Sequence, residues 1–183
     1  MSRPPRAREL VLDAFETLLL AEGERAATLE ATAREAGVSK GGLLYHFGSK
    51  DDLVAGLLER LSALVDADIE RMAAAPEGAV AYYLRTSVQI DPLDRALTAA
   101  SRLAQGGHGE AGAALYEARR RWSDTIAPHV RDHAALDLVM LLSDGLYFNN
   151  ALDRDDAERI VPRGARMEQL IALALQATAP HED

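Results

Sequence analysis

The chain has no cysteine, so no disulfide, iron–sulfur cluster or thiolate-held metal is available to it. Aromatic residues are scarce, at 5%, with a single tryptophan, Trp122. Long apolar runs are missing as well. The longest strongly apolar stretch, LVMLL at 138–142, falls far short of the roughly 20 residues that cross a bilayer. The N-terminal MSRPPRAREL carries arginines without an apolar stretch behind them, unlike a secretory signal. A soluble, cytoplasmic protein with no membrane partner is expected. Lysine is nearly absent too: Lys40 and Lys50 are the only two. Alternating β-branched residues, the mark of strands, hardly occur.

Ala, Leu, Glu and Arg are present in quantity. The 183 residues are 48% hydrophobic and 27% charged, enough for a sizeable core and unlike a disordered chain. The net charge of −9 taken alone argues against nucleic acid as a partner. The charge is uneven, however. Residues 1–60 hold eight Lys/Arg against ten Asp/Glu, while 61–183 hold twelve against nineteen. The first third can therefore present a basic face locally.

Helical periodicity predicts an all-α fold of about nine helices. The first runs over about 8–22, with Leu10, Ala14, Leu18 and Ala21 at three- and four-residue steps. Thr28 caps a short second helix, LEATAREA, closed by Gly37. Ser39 caps a short third helix, and Ser49, with Asp52 three residues on, caps a long fourth that reaches about Ala75. Further helices are expected at about 78–89, 92–106, 109–127, 134–152 and 157–178. The breaks fall at Asp91-Pro92, Gly106-Gly107, Pro128 and the acidic DRDD at 153–156.

The stretch GVSKGGLLYHFGSK at 37–50 carries the most information. Two short helices joined by a Gly-containing turn form a helix-turn-helix pattern. Leu29, Ala33 and Ala36 line the inner face of the first helix, and Val38 plugs the gap. On the second, about Lys40–Phe47, Leu43 and Phe47 point inward. Gly41, Gly42 and Tyr45 then occupy the opposite face, with Leu44 and His46 beside it. Each glycine costs a helix roughly 1 kcal/mol relative to alanine. Two in a row make sense if the backbone must come close to a major groove, with helix-start N–H groups free for phosphate.

The segment TLEATAREAGVSKGGLLYHFGSKDDLVAGLLE resembles the helix-turn-helix and following helix of the TetR family of transcriptional regulators. The strongest matches are Gly37-Val38-Ser39, His46-Phe47 and Ser49-Lys50 followed by acids and Leu53. The resemblance covers residues 10–58, about a third of the chain. It implies a helix-turn-helix DNA-binding domain at 1–50 and a helical ligand-binding and dimerisation domain at 51–183. It also implies a homodimer on double-stranded operator DNA, most often a repressor released by a small-molecule effector. Two departures stand out. Leu44 replaces a frequent tyrosine, which removes a hydroxyl contact to phosphate. Thr32 replaces a large aliphatic residue, so either the small core is weaker or Thr32 bonds back to a carbonyl.

On this reading Lys40, Tyr45, His46 and Lys50 contact phosphates or base edges, with Gly41 and Gly42 giving close approach. Thr28 and Ser39 offer hydroxyls, and Arg3, Arg6 and Arg8 form a mobile basic arm. The helix at 134–152 is apolar nearly all round, so more than one neighbour must cover it. Val139, Leu142 and Leu146 there, with Leu170, Ile171 and Ala174 of the last helix, are the expected dimer interface. Tyr83, Trp122, Arg119, Phe148 and Asn149 are the candidate effector-binding residues, aromatic walls with a few polar anchors. His129 and His133 stand four apart, but the Pro128 context reads as a loop, and no metal or other cofactor is expected. No nucleophile–base pair, phosphate loop or metal quartet appears, so an enzyme is not expected.

Overall fold

The computed structural model describes residues 5–152 and 160–180. Among them are nine α-helices and no strand. The helices are α1 (Pro5–Glu22), α2 (Leu29–Glu35), α3 (Lys40–His46), α4 (Lys50–Ala73), α5 (Ala79–Thr86), α6 (Pro92–Gln105), α7 (Gly109–Ile126), α8 (His133–Leu152) and α9 (Ala165–Thr178). A 3-10 turn, Ala127–His129, precedes α8. The fold is all-α, and the helix starts agree with the capping residues. Thr28 Oγ1 accepts from the Ala31 N–H (3.1 Å), Ser39 Oγ from Gly42 (3.0 Å) and Ser49 Oγ from Asp52 (3.1 Å). Asp91 does the same for α6 through the Asp94 N–H at 3.0 Å, with Pro92 in the first turn.

The last helix departs from expectation. Residues 160–164 are not helical, and α9 starts only at Ala165. Pro162 cannot donate to a preceding turn, and Gly164 sits at φ +54°, outside the helical region. The expected residues 157–159 lie outside the described part of the chain. His129 ends the 3-10 turn and His133 opens α8, so their four-residue spacing does not fall on one helix.

The chain divides into two compact units. The first comprises Met1–Val65 and Asp91–Ala118, with the boundary running through α4 and α7. Its core joins Leu12, Phe15 and Leu19 of α1 to Leu43, Phe47, Leu53 and Leu57, all buried, and α6 adds Ala99 and Leu103. Ion pairs fasten the rim. Arg60 reaches Glu9 (2.5 Å) and Asp13 (2.7 Å), and Arg95 of α6 holds Glu16 of α1 at 2.7 Å. Burial pushes the Glu16 carboxyl up, and the two guanidiniums oppose that push.

The second unit comprises Asp66–Ile90 and Arg119–Asp183. Here α5, α8 and α9 pack together through Val80, Leu84, Val139, Met140, Leu146, Met167, Ile171 and Ala174, all buried. Ser87 and Ser143 exchange a 2.7 Å hydrogen bond, and Arg85 bridges Glu77 (2.6 Å) and Glu168 (2.9 Å). No described helix is long and apolar enough to cross a membrane.

Thr32 is fully buried in the first unit, and its hydroxyl has no hydrogen-bond partner among the described residues. The expected bond back to a carbonyl is not made, so the small core carries an unsatisfied polar group. Such a group costs about 1–3 kcal/mol. Thr32→Val keeps the shape and removes the hydroxyl. It is expected to raise the thermal midpoint by about 2–4 °C, read by circular dichroism. An unchanged or lower midpoint would show that the hydroxyl is in fact satisfied.

Candidate nucleic-acid interface

The helix-turn-helix is built by the turn between α2 and α3. Gly37 adopts φ +67°, which a side chain disfavours. Its N–H bonds to the Arg34 carbonyl (3.2 Å), and the Val38 N–H bonds to the Ala33 carbonyl (3.0 Å). These are the two bonds of a Schellman closure, and they satisfy the last carbonyls of α2. The chain then turns directly into the Ser39 cap of α3.

Only Leu43 and the C-capping Phe47 of this segment are buried. Phe47 packs against α4 at Gly56, where an added Cβ would stand 2.7 Å from the ring. Arg8 lies over the same ring, 5.3 Å from its centroid, and bonds Glu59 at 2.7 Å. Gly56 therefore has an internal reason to lack a side chain. Gly41 has none: a Cβ there would meet nothing within 4 Å, and its φ is not positive. Gly42 is tighter only against Ser39 Oγ, at 3.2 Å.

The outward face of α3 thus consists of Gly41, Gly42, Leu44 and Tyr45, all exposed. Tyr45 is 82% exposed, and its ring meets the His46 ring edge-on at 5.1 Å. Lys40 stands in the first turn, and its ammonium pairs with Glu30 of α2. Both partners are largely solvated, so the pair is weak and a phosphate can replace the carboxylate. That exposed pair holds the Glu30 carboxyl below its ordinary range. The Thr28 and Ser39 oxygens accept N–H bonds, which leaves their O–H protons to donate.

Lys50 is placed differently from the other candidates. Its ammonium donates to the Glu24 carbonyl (2.8 Å) and Glu24 Oε1 (3.2 Å) and is partly buried. His108 Nε2 meets the same Oε1 at 3.0 Å. The His108 hydrogen bond, followed by that of Lys50, holds the Glu24 carboxyl below its usual range. Lys50 therefore fastens the α1–α2 loop to the start of α4. The expected arm is also shortened. Arg8 lies inside α1, engaged as described, and Arg6 also falls within that helix. Arg3 lies outside the described residues. Arg25 and Arg34 are exposed and form no ion pair among the described residues, which makes them phosphate candidates beyond those read from the sequence.

The effector and dimer candidates lie in the second unit. Tyr83 and Trp122 are buried with ring centroids 6.0 Å apart. Burial pushes the Tyr83 phenol up to about 12, against a hydrogen bond from Ser143. Arg119 is paired with Asp144 at 2.6 Å, and Asn149 donates back to the Gly145 carbonyl at 2.7 Å. Phe148 is 63% exposed, so it stands apart from the Tyr83–Trp122 pair and faces solvent. Val139, Leu146, Ile171 and Ala174 turn into the protomer's own core, while Leu142 and Leu170 are half-buried. The outward apolar residues of α8 are instead Leu138, Leu141, Phe148 and Leu152.

A capped helix pair with an inward Leu43–Phe47 anchor and two glycines on its outward face is a helix-turn-helix. Residues 11–57 match the family model of the bacterial regulatory proteins, tetR family. The fold as a whole is similar to solved transcriptional regulators. One, from Saccharomonospora viridis in complex with choline, is 20% identical over 96% of this chain and 99% of its own, with a TM-score of 0.68. Another, from Streptomyces coelicolor A3(2), is 21% identical over 95% and 99%, with a TM-score of 0.66. The ketosteroid transcriptional regulator KstR2 of Mycobacterium tuberculosis is 20% identical over 98% of each chain, with a TM-score of 0.62. No curated protein matches the sequence.

Gly41→Ala separates folding from recognition. A helical alanine is expected to stabilise the protein by about 0.5–1 kcal/mol in denaturant melts. The added methyl group projects from the open face and is expected to weaken duplex binding about tenfold in fluorescence anisotropy. Equal binding by the variant would remove the close-approach role of this face.

Proposed function

We propose that this protein is a ligand-responsive transcriptional repressor rather than an enzyme, released from operator DNA by a small molecule. The observation that carries the reading is the backbone bared at Gly41 and Gly42 on the outward α3 face, for which no described residue gives a reason at Gly41. Residues 1–50 read DNA, and residues 51–183 bind the effector and dimerise. The α3 helix enters the major groove. Gly41 and Gly42 let its backbone approach, and Tyr45 and His46 reach base edges or phosphates. Lys40, Thr28 and Ser39 hold phosphates, with Arg3 and Arg6 adding contacts from the N-terminal end. Lys50 acts mainly by holding the loop beneath α3, since Glu24 already occupies its ammonium.

Operator reading requires a two-fold partner, with recognition helices one DNA turn apart, about 34–36 Å. Leu138, Leu141, Gly145, Phe148 and Leu152 recur at steps of three and four along α8 and share one outward stripe. With the exposed Leu173 of α9, this stripe is the surface we assign to a second copy. The pattern repeats every seven residues, as in helix pairs that interlock.

Release follows as a population shift. An effector that prefers one dimer shape by a few kcal/mol changes the spacing of the two recognition helices. Helix α4 is the natural lever. It starts beside α3 and continues for 24 residues, about 36 Å. The choline complex of the Saccharomonospora viridis relative supports a small-molecule effector.

Footprinting the purified protein on DNA flanking its own coding region is expected to show a protected inverted repeat. The binding constant should fall steeply with salt. Uniform, sequence-independent protection would defeat the regulator reading. Leu141→Glu combined with Phe148→Glu should convert a dimer to a monomer by light scattering, with little change in helix content. A dimer that survives both changes would move the interface elsewhere.

A further inference from the structure

Asp68 is the buried carboxylate of the second unit, 5% exposed. Buried carboxylates are rare unless paired or functional. Its Oδ2 accepts from the indole N–H of Trp122 at 3.0 Å, and its Oδ1 accepts from the Tyr82 hydroxyl at 2.9 Å. Both donors are neutral. The nearest cation, Arg71, stands off at 3.5 Å, with its side chain more than half exposed. Arg71 also donates through Nε to the Tyr82 oxygen at 3.2 Å, so it covers the carboxylate from the solvent side. Against the inner side lies the Trp122–Tyr83 ring pair, whose planes are inclined at 44°.

This arrangement combines a desolvated negative charge, two aromatic rings and one loosely held, displaceable cation. We propose that Asp68, with Trp122, Tyr82 and Tyr83, forms a binding site for an organic ammonium ion, which takes the place Arg71 now holds beside the carboxylate. The cation gains a charge partner partly shielded from water, where the attraction is stronger. Arg71 is a flexible, hydrated competitor whose loss to solvent costs little. An anionic ligand is disfavoured by the buried charge. A neutral ligand leaves the carboxylate and Arg71 as they are. Helix α4 carries both Asp68 and Arg71, so exchange of one cation for the other acts directly on the helix that starts beside α3. The site deepens the effector reading by naming its chemical class. Its regulatory meaning rests on that reading, but the binding does not.

Trp122 is the chain's single tryptophan, so its emission reports this site alone. The test titrates tetramethylammonium chloride, at constant ionic strength, against its neutral isostere tert-butanol. Wild type should show a saturable change with the ammonium ion and none with the alcohol. Asp68→Asn should weaken that response by about tenfold or more. Arg71→Gln, which removes the competitor from an exposed position, should tighten it roughly two- to fivefold. If Asp68→Asn does not fold, the Arg71→Gln arm carries the test. No saturable response in wild type, or a response unaltered by Arg71→Gln, overturns the proposal. Operator binding measured in the same titrations separates the two readings. A saturable Trp122 response without loss of operator binding upholds the cation site and sinks release by this ligand class. Operator binding intact with no Trp122 response sinks the cation site and leaves the repressor reading standing.

Discussion

The seating of Phe47 is the contact on which the outward face of α3 depends. It anchors the C-terminal end of a seven-residue helix, too short to be stable by itself. The ring contacts Gly56 of α4 and the Arg8 guanidinium of α1. Leu43, one turn earlier, adds the second inward contact. With both residues pinned, the rotation of α3 about its axis is set, and its opposite side is left without side chains at Gly41 and Gly42. The recognition surface is thus a consequence of what points the other way.

The two kinds of glycine illustrate how function and stability divide along this chain. Gly56 weakens its helix but permits a close internal approach. Gly41 weakens its helix and permits nothing internal. The same contrast holds for buried polar groups. Thr32 is unsatisfied within the first unit, whereas Asp68 in the second is satisfied by two neutral donors and a cation at 3.5 Å. One is a local cost to the small core. The other gathers chemistry around a charge.

Much of this was legible in the residues themselves. Thr28, Ser39 and Ser49 announced three helix starts because capping is local, and Gly37 announced the turn for the same reason. The start of α9 was less legible, since the Pro162–Gly164 stretch interrupts a segment whose composition still favours a helix. The two faces of α8 were also confused. A helix apolar nearly all round shows that it must be covered but not which side meets its own core, so Val139 and Leu146 were read as interface when they face inward. For Lys50 the sequence suggests a phosphate or base-edge contact, because its partner Glu24 lies 26 residues away. Only tertiary packing brings the two together.

The contrast between the two lysines has a practical consequence. The chain spreads its positive charge almost wholly over arginines, which leaves two primary side-chain amines. One is partly sequestered by a carboxylate and a carbonyl, while the other is more than half exposed at the start of α3. Acylating reagents therefore have one favoured side-chain target, at the place where a duplex would shield it. Protection of that single amine gives a chemical shadow of DNA occupancy without any engineered probe.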